Sequence, residues 1–220
     1  QDKALTLGGG NVTGGSFAGV ITSAPLALAP LYKLTSLIKT GTGTQYLTST
    51  ESSYVGFTEL NGGILNVAKI GNLGENSSIG NRPEDNAGSD VGIIFRGGTL
   101  QYTGSTAQST DRAIRVSINN AVTGTNVVDA VNGGAFIDAS GSNIDATLSF
   151  TRSSSPDFFE SSGDRQITFT GSNEGNNTFN MAINQTGGVT HVSKTGGGLW
   201  RLSGASNYTG NTTVSGGALL

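Results

Sequence analysis

The fold is decided by the last 27 residues: Lys194-Thr195-Gly196-Gly197-Gly198-Leu199-Trp200-Arg201-Leu202-Ser203-Gly204, then Asn207-Tyr208-Thr209-Gly210, then Val214-Ser215-Gly216-Gly217-Ala218-Leu219. A degenerate copy lies far upstream as Lys39-Thr40-Gly41-Thr42-Gly43, Leu47, Tyr54-Val55-Gly56 and Leu60-Asn61-Gly62-Gly63-Ile64-Leu65. The lysine, the tyrosine, the glycine pair and the closing leucine recur in one order. Further back, Leu5-Thr6-Leu7-Gly8-Gly9 runs without a gap to Phe17, opposite Ile167-Thr168-Phe169-Thr170-Gly171 to Phe179. The upstream copy then carries an insertion, Ala24–Pro30. Residues 5–65 and 167–219 therefore read as two copies of one unit, with 66–166 as a connecting stretch and 1–220 as a single segment of a longer chain. A repeat with a long period implies a stacked, quasi-linear architecture.

Local patterning agrees. Leu5/Leu7, Ile93/Phe95, Leu100/Tyr102, Ile114/Val116/Ile118, Leu148/Phe150, Ile167/Phe169 and Trp200/Leu202 alternate with polar neighbours at period 2. Gly-Gly pairs at 62–63, 97–98, 133–134, 187–188 and 216–217 punctuate these runs and read as corners. No segment combines a 3.6-residue period with helix caps. Many short strands with a long period predict an all-β, right-handed parallel β-helix with negligible helix. At ~20–25 residues per coil it would form nine or ten coils, about 4.8 Å apart. Inward Leu, Ile, Val and Phe would stack in columns, and Asn at corners would form hydrogen-bonded ladders.

Composition narrows the function. Glycine supplies 35 of 220 residues, charged residues only 12%, and the net charge is -3. No basic run exists to displace counterions from phosphates, which argues against nucleic acid. Cysteine is absent, which removes disulfides and thiolate metal sites. No apolar run reaches the length of a membrane span, and no signal peptide is visible.

The block at 194–219 resembles the passenger-associated transport repeat of bacterial autotransporters. Leu65-Asn66-Val67, Gly71-Asn72-Leu73-Gly74 and Ile93–Gln101 resemble the segment that commonly follows it. The resemblance implies a right-handed parallel β-helix outside the cell, acting in some members in adhesion, and it is unspecific for activity. The chain departs from the family in having no C-terminal translocator barrel and in placing Gln45 where the other copy has Trp200. If that position faces the core, Gln45 is a buried amide in need of partners; a one-residue shift would put Tyr46 there instead.

Several residues carry potential chemistry. Asp129, Asp138 and Asp145 are spaced to fall on neighbouring coils, with Asp111, Arg112 and Arg115 as nearby charge, and glycoside cleavage needs two carboxyls. Their Gly/Ser/Asn surroundings read as solvated turns. Asp157, Glu160 and Asp164 place three acids in the loop 153–164, without the spacing of a calcium loop. Phe158 and Phe159 in that loop pack back on the coil or touch a neighbour. The single histidine, His191, aligns with Ser36 and is read as outward and non-catalytic. Lys39 and Lys194 read as solvated corners. Six Asn-x-Ser/Thr sequons, at Asn11, Asn76, Asn176, Asn184, Asn207 and Asn211, are expected by composition. No catalytic, cofactor-binding or metal residues are assigned.

The expected function is a structural or adhesive extracellular stalk, without catalysis. The alternatives are a self-assembling filament subunit, joined between residues 1–10 and 212–220 of neighbouring copies, and a β-helix carbohydrate-active enzyme. Expected partners are host or cell-surface glycans or proteins, or further copies end to end. Gln1 starts just before a strand and Leu220 closes a repeat with no polar cap, which also points to a longer chain or end-to-end stacking.

Overall fold

The computed structural model describes residues 3–8, 14–23, 34–84, 91–117, 133–158 and 163–220. The insertion Ala24–Pro30, Asp129, Phe159 and Glu160 lie outside the described residues. The described residues form strands, turns and loops without helix, as the patterning predicts. In chain order the strands are β1 (Lys3–Leu7), β2 (Gly15–Phe17), β3 (Thr35–Lys39), β4 (Thr44–Leu47), β5 (Thr58–Leu60), β6 (Ile64–Val67), β7 (Ile93–Phe95), β8 (Thr99–Tyr102), β9 (Gln108–Thr110) and β10 (Ile114–Val116). They continue as β11 (Ala135–Ala139), β12 (Leu148–Phe150), β13 (Asp157–Phe158), β14 (Arg165–Thr170), β15 (Asn177–Phe179), β16 (Thr190–Lys194), β17 (Leu199–Leu202), β18 (Thr212–Val214) and β19 (Ala218–Leu219).

These strands build three parallel sheets. The first runs β1-β3-β5-β7-β10-β13, the second β2-β4-β6-β8-β11-β14-β16-β18, and the third β9-β12-β15-β17-β19. Strands consecutive in sequence never pair. Each pairs with a strand from the preceding or following circuit of the chain, in the same direction. The antiparallel contact among the described residues is one isolated bridge, Ser52–Ser77. Partners lie 42 residues apart at Arg115–Asp157 but 20 apart where Asn211 reaches back to His191. Loops of very different length join strands of constant register, and among the described residues the longest sheet has eight strands.

Alternation dictates the packing. Leu65, Leu100, Ile137 and Phe169 stack in register on the inner face of the second sheet, all fully buried. Leu60, Phe95 and Val116 do the same in the first sheet. Each such side chain contributes about 1.5–3 kcal/mol on burial, and a one-residue slip would turn a whole column outward. The later circuits add an aromatic cluster. Phe169 lies 5.0 Å from Phe179 and 5.1 Å from Trp200, and Phe150 lies 5.6 Å from Phe179. Trp200 is fully buried and its indole N–H donates to the Thr170 carbonyl at 2.9 Å. Gln45 occupies an inward place beside Leu65, is half-buried and donates to the Gly15 carbonyl, while Tyr46 points outward and is 36% exposed.

Every Gly-Gly pair named above contains at least one residue of positive φ: Gly63, Gly97, Gly134, Gly187 and Gly217. The requirement is sharpest at Gly63 (φ 60°) and Gly217 (φ 64°), where a Cβ would stand 2.4 Å from the Gly43 oxygen and 2.1 Å from the Gly198 oxygen. Successive turns thus touch backbone to backbone.

Candidate functional site

Asp138 and Asp145, the two spaced aspartates among the described residues, stand in different settings. Asp138 sits on β11 with both oxygens engaged: Oδ2 accepts from Gln101 at 2.8 Å and Oδ1 from Ser140 at 2.5 Å. Asp145 lies in the exposed turn between β11 and β12. Asp111 accepts the Leu73 backbone N–H at 2.7 Å. Asp157 pairs with Arg115 through Nε at 2.7 Å and Nη2 at 2.5 Å, and Asp164 accepts the Val189 N–H at 2.9 Å, so these two acids of the 153–164 loop serve separate roles. Phe158 turns in against the core, with the Arg165 guanidinium 4.3 Å from its ring centre. His191 lies half-buried on β16, and its Nδ1 accepts the Asn211 N–H at 3.1 Å.

The lysines correct the sequence reading. Lys39 and Lys194 are buried, at 3% and 0% exposure, not solvated at corners. Lys39 stands in the inward column between Leu7 and Leu60, and Lys194 between Phe169 and Val214. Each ammonium reaches the end of its strand and meets turn carbonyls. Lys39 Nζ donates to Thr40 O at 2.7 Å, Gly41 O at 3.2 Å and Gly62 O at 3.2 Å. Lys194 Nζ donates to Thr195 O at 2.5 Å, Gly196 O at 2.9 Å and Gly216 O at 3.1 Å. Three donors thus meet three acceptors, two in the lysine's own turn and one in the turn of the next circuit. Burial pulls both ammonium groups below their ordinary pKa. The clue was in the sequence: Lys39 follows Leu37, and Lys194 follows Val192, in the inward phase of the alternation. Charge type outweighed phase in reading them as surface.

Arg112 repeats this chemistry on a larger scale. It is fully buried and fans into the loop 71–80, donating to Gly80 O at 2.8 Å, Ile79 O at 3.1 Å, Gly71 O at 3.2 Å, Asn72 O at 3.4 Å and Glu75 O at 3.5 Å. Arg112 is a loop organiser rather than an active-site charge. Asparagines stitch the later circuits. Asn177 Oδ1 accepts the Leu148 N–H at 2.8 Å and its Nδ2 donates to Leu199 O at 2.9 Å, so one amide spans three circuits.

Two features face outward. On the outer side of the second sheet, buried Asn66 donates to half-buried Gln101 at 2.8 Å, and Gln101 donates to half-buried Asp138 at 2.8 Å, a polar ladder crossing three strands beside exposed Tyr46. Beside the third sheet lies an open groove of about 530 Å³ lined by Ile144, Asp145, Thr147, Glu174, Asn176 and Arg201, among others. Of the three candidate aspartates, the groove is lined by Asp145 and not by Asp138. Among the described residues no cluster of three or more His, Asp or Glu side chains forms a metal site, and no helix is long and apolar enough to cross a membrane.

The model of the passenger-associated-transport-repeat family matches residues 37–67 and 192–220, ranges that hold both lysine cradles and both of their Gly-Gly turns. Both stretches carry the passenger-associated transport repeat. The repeat is a component of autotransporter passengers, so this passenger segment is extracellular and exposed at the cell surface. The Adhesin BmaC autotransporter of Brucella suis biovar 1 (strain 1330) is 32% identical to the passenger segment over 197 residues. That match covers 89% of the segment but 5% of the relative's length. No solved structure matches it.

Proposed function

We propose that this passenger segment is a stretch of right-handed parallel β-helix that serves as a rigid, non-catalytic, adhesive module of a bacterial surface protein. The observation that carries this is the sheet order: among the described residues every strand-to-strand ladder is parallel and joins strands that are not consecutive in the chain. Such ladders close the backbone hydrogen bonds of each circuit on its neighbours, which stiffens the stack along its length. Residues 5–65 and 167–219 are two copies of one unit within it. Adhesion is supported by the likeness to an autotransporter adhesin and by the polar outer side of the second sheet, where Tyr46 is exposed and Gln101 and Asp138 are half-buried. Contacts of this kind are individually weak and gain strength by repetition along a rod. The ligand class is surface glycan or protein of a host cell.

The test is display of residues 1–220 on a non-adherent bacterium. Binding to cultured host cells above the empty display carrier is expected, with a further rise for tandem copies. No binding above the carrier at any copy number refutes the adhesive role.

A second reading, glycan cleavage, is tied to the groove that holds Asp145, Glu174 and Arg201. It requires release of reducing sugar from a polysaccharide panel that is lost in Asp145→Asn and Glu174→Gln; no release removes it.

A further inference from the structure

The two buried lysines sit at different places in the architecture. Lys39 ends β3 in the first sheet, at the turn into the second. Lys194 ends β16 in the second sheet, at the turn into the third. Their sheet neighbours differ, Leu7 and Leu60 against Phe169 and Val214. Yet the acceptors correspond one for one: the carbonyls one and two residues on, and the first glycine of the following Gly-Gly pair, 23 or 22 residues on. All are backbone atoms, so recognition is written into the turn geometry. Gly63 completes the space at the first site, because a Cβ there would stand 2.7 Å from Lys39 Nζ and 2.6 Å from the Gly41 oxygen. The carbonyls converge from two circuits on a point that three N–H bonds from one nitrogen can satisfy. A quaternary ammonium has no N–H to offer, and a guanidinium presents its donors in a planar fork.

We infer that the corner of each repeat is a receptor for a primary ammonium group that clamps two successive circuits together, filled here by the chain's own lysine and able to take a free alkylammonium ion when that side chain is cut back. The clamp is a property of the motif Lys-x-Gly-x-Gly followed by Gly-Gly, not of its place in the sheets.

The test uses Lys39→Ala in the full 220-residue chain, with amide hydrogen exchange as the readout. The reporters are the Asn61 N–H, bonded to Lys39 O at 2.8 Å, and the Ile64 N–H, bonded to Gly43 O at 3.2 Å. Their protection is expected to fall about tenfold or more, as for loss of one charge-assisted hydrogen bond. The Ser215 and Ala218 amides at the other site should hold their protection. Adding n-butylammonium should restore most of the loss, while tetramethylammonium or potassium at equal ionic strength should not. Unchanged protection in Lys39→Ala overturns the clamp. Failure of butylammonium to restore it, or equal restoration by potassium or tetramethylammonium, overturns the receptor. Should Lys39→Ala not fold, Lys194→Ala gives the same reading at the Ser215 and Ala218 amides, and Lys39→Met, which keeps the stem but fills the channel, should lose protection without rescue.

Discussion

Replacing Arg112 by Met should unfasten the loop 71–80 before the rest of the molecule melts. Methionine keeps much of the buried stem and removes the guanidinium. Three short bonds disappear, to Gly80, Ile79 and Gly71, at 2.8, 3.1 and 3.2 Å. A hydrogen bond to a charged group contributes about 1.5–3 kcal/mol, which sets the gross loss at roughly 5–9 kcal/mol. Relief of the cost of burying the guanidinium offsets several kcal/mol of this. The carbonyls left behind are enclosed: Ile79 is 1% exposed and Ser77 and Ser78 beside it are buried, so water cannot reach them without opening the loop. The net destabilisation should be about 3–5 kcal/mol. For a chain of this size that lowers Tm by about 10 °C. Circular dichroism gives the melting shift, and limited proteolysis locates new cuts within 71–80. Arg112→Lys, which keeps the charge but offers three donors, should fall between. A Tm for Arg112→Met within about 1 °C of the parent, or cleavage elsewhere with 71–80 intact, would refute the assignment of Arg112 as organiser of this loop.

Burial holds the Lys39 and Lys194 ammoniums below the ordinary 10.5, so at alkaline pH the unfolded chain keeps protons that the folded chain has released, and stability should rise with pH from the lowered folded value up to 10.5. Tyr54, buried and pushed above its ordinary 10.0, acts oppositely: its phenol ionises first in the unfolded chain, so stability falls above pH 10. Urea denaturation across pH 8–11 should show a Lys39→Met/Lys194→Met variant with a flatter rise and Tyr54→Phe with a shallower fall; parallel curves for all three proteins would contradict both assignments. Gly217→Ala should cost about 2 kcal/mol or more, since φ is 64° and the new Cβ would meet the Gly198 oxygen at 2.1 Å, whereas Gly197→Ala, with open space, should cost under 1 kcal/mol by chemical denaturation. Trp200→Phe should lose about 1 kcal/mol with the Thr170 hydrogen bond, and Trp200→Ala about 3–5 kcal/mol by opening a cavity beside Phe169; equal effects of the two would mean that the ring is not packed there.

Strand type and the positions of turns were legible because both follow from local chemistry. Period-2 alternation marks Ile93–Phe95, Leu148–Phe150 and Arg165–Thr170, and glycine pairs mark places where φ turns positive. The length of each connection was not legible, since a loop's length leaves no trace in the strands it joins. The buried cations were missed for a different reason. Lys39, Lys194 and Arg112 carry charge, and charge usually seeks water; what keeps them inside is a set of backbone carbonyls that exists only after the turns of two circuits meet. Residue type cannot announce an acceptor supplied by backbone 22 or 23 residues from each lysine, or 32 to 41 residues from Arg112. Phase could have: all three stand two residues beyond an inward side chain, Leu37, Val192 or Thr110. Asp138 was read as a solvated turn, but it stands on β11, half-buried, with its oxygens used by Gln101 and Ser140.

The unequal steps between paired strands, 20 residues in one place and 42 in another, bear on how such a surface can change over generations. An excursion added between two strands leaves the hydrogen-bond partners above and below where they were. Outward segments can therefore be lengthened, shortened or exchanged while the scaffold stays fixed, and sequence change would collect in the excursions and spare the glycine turns and the lysines behind them.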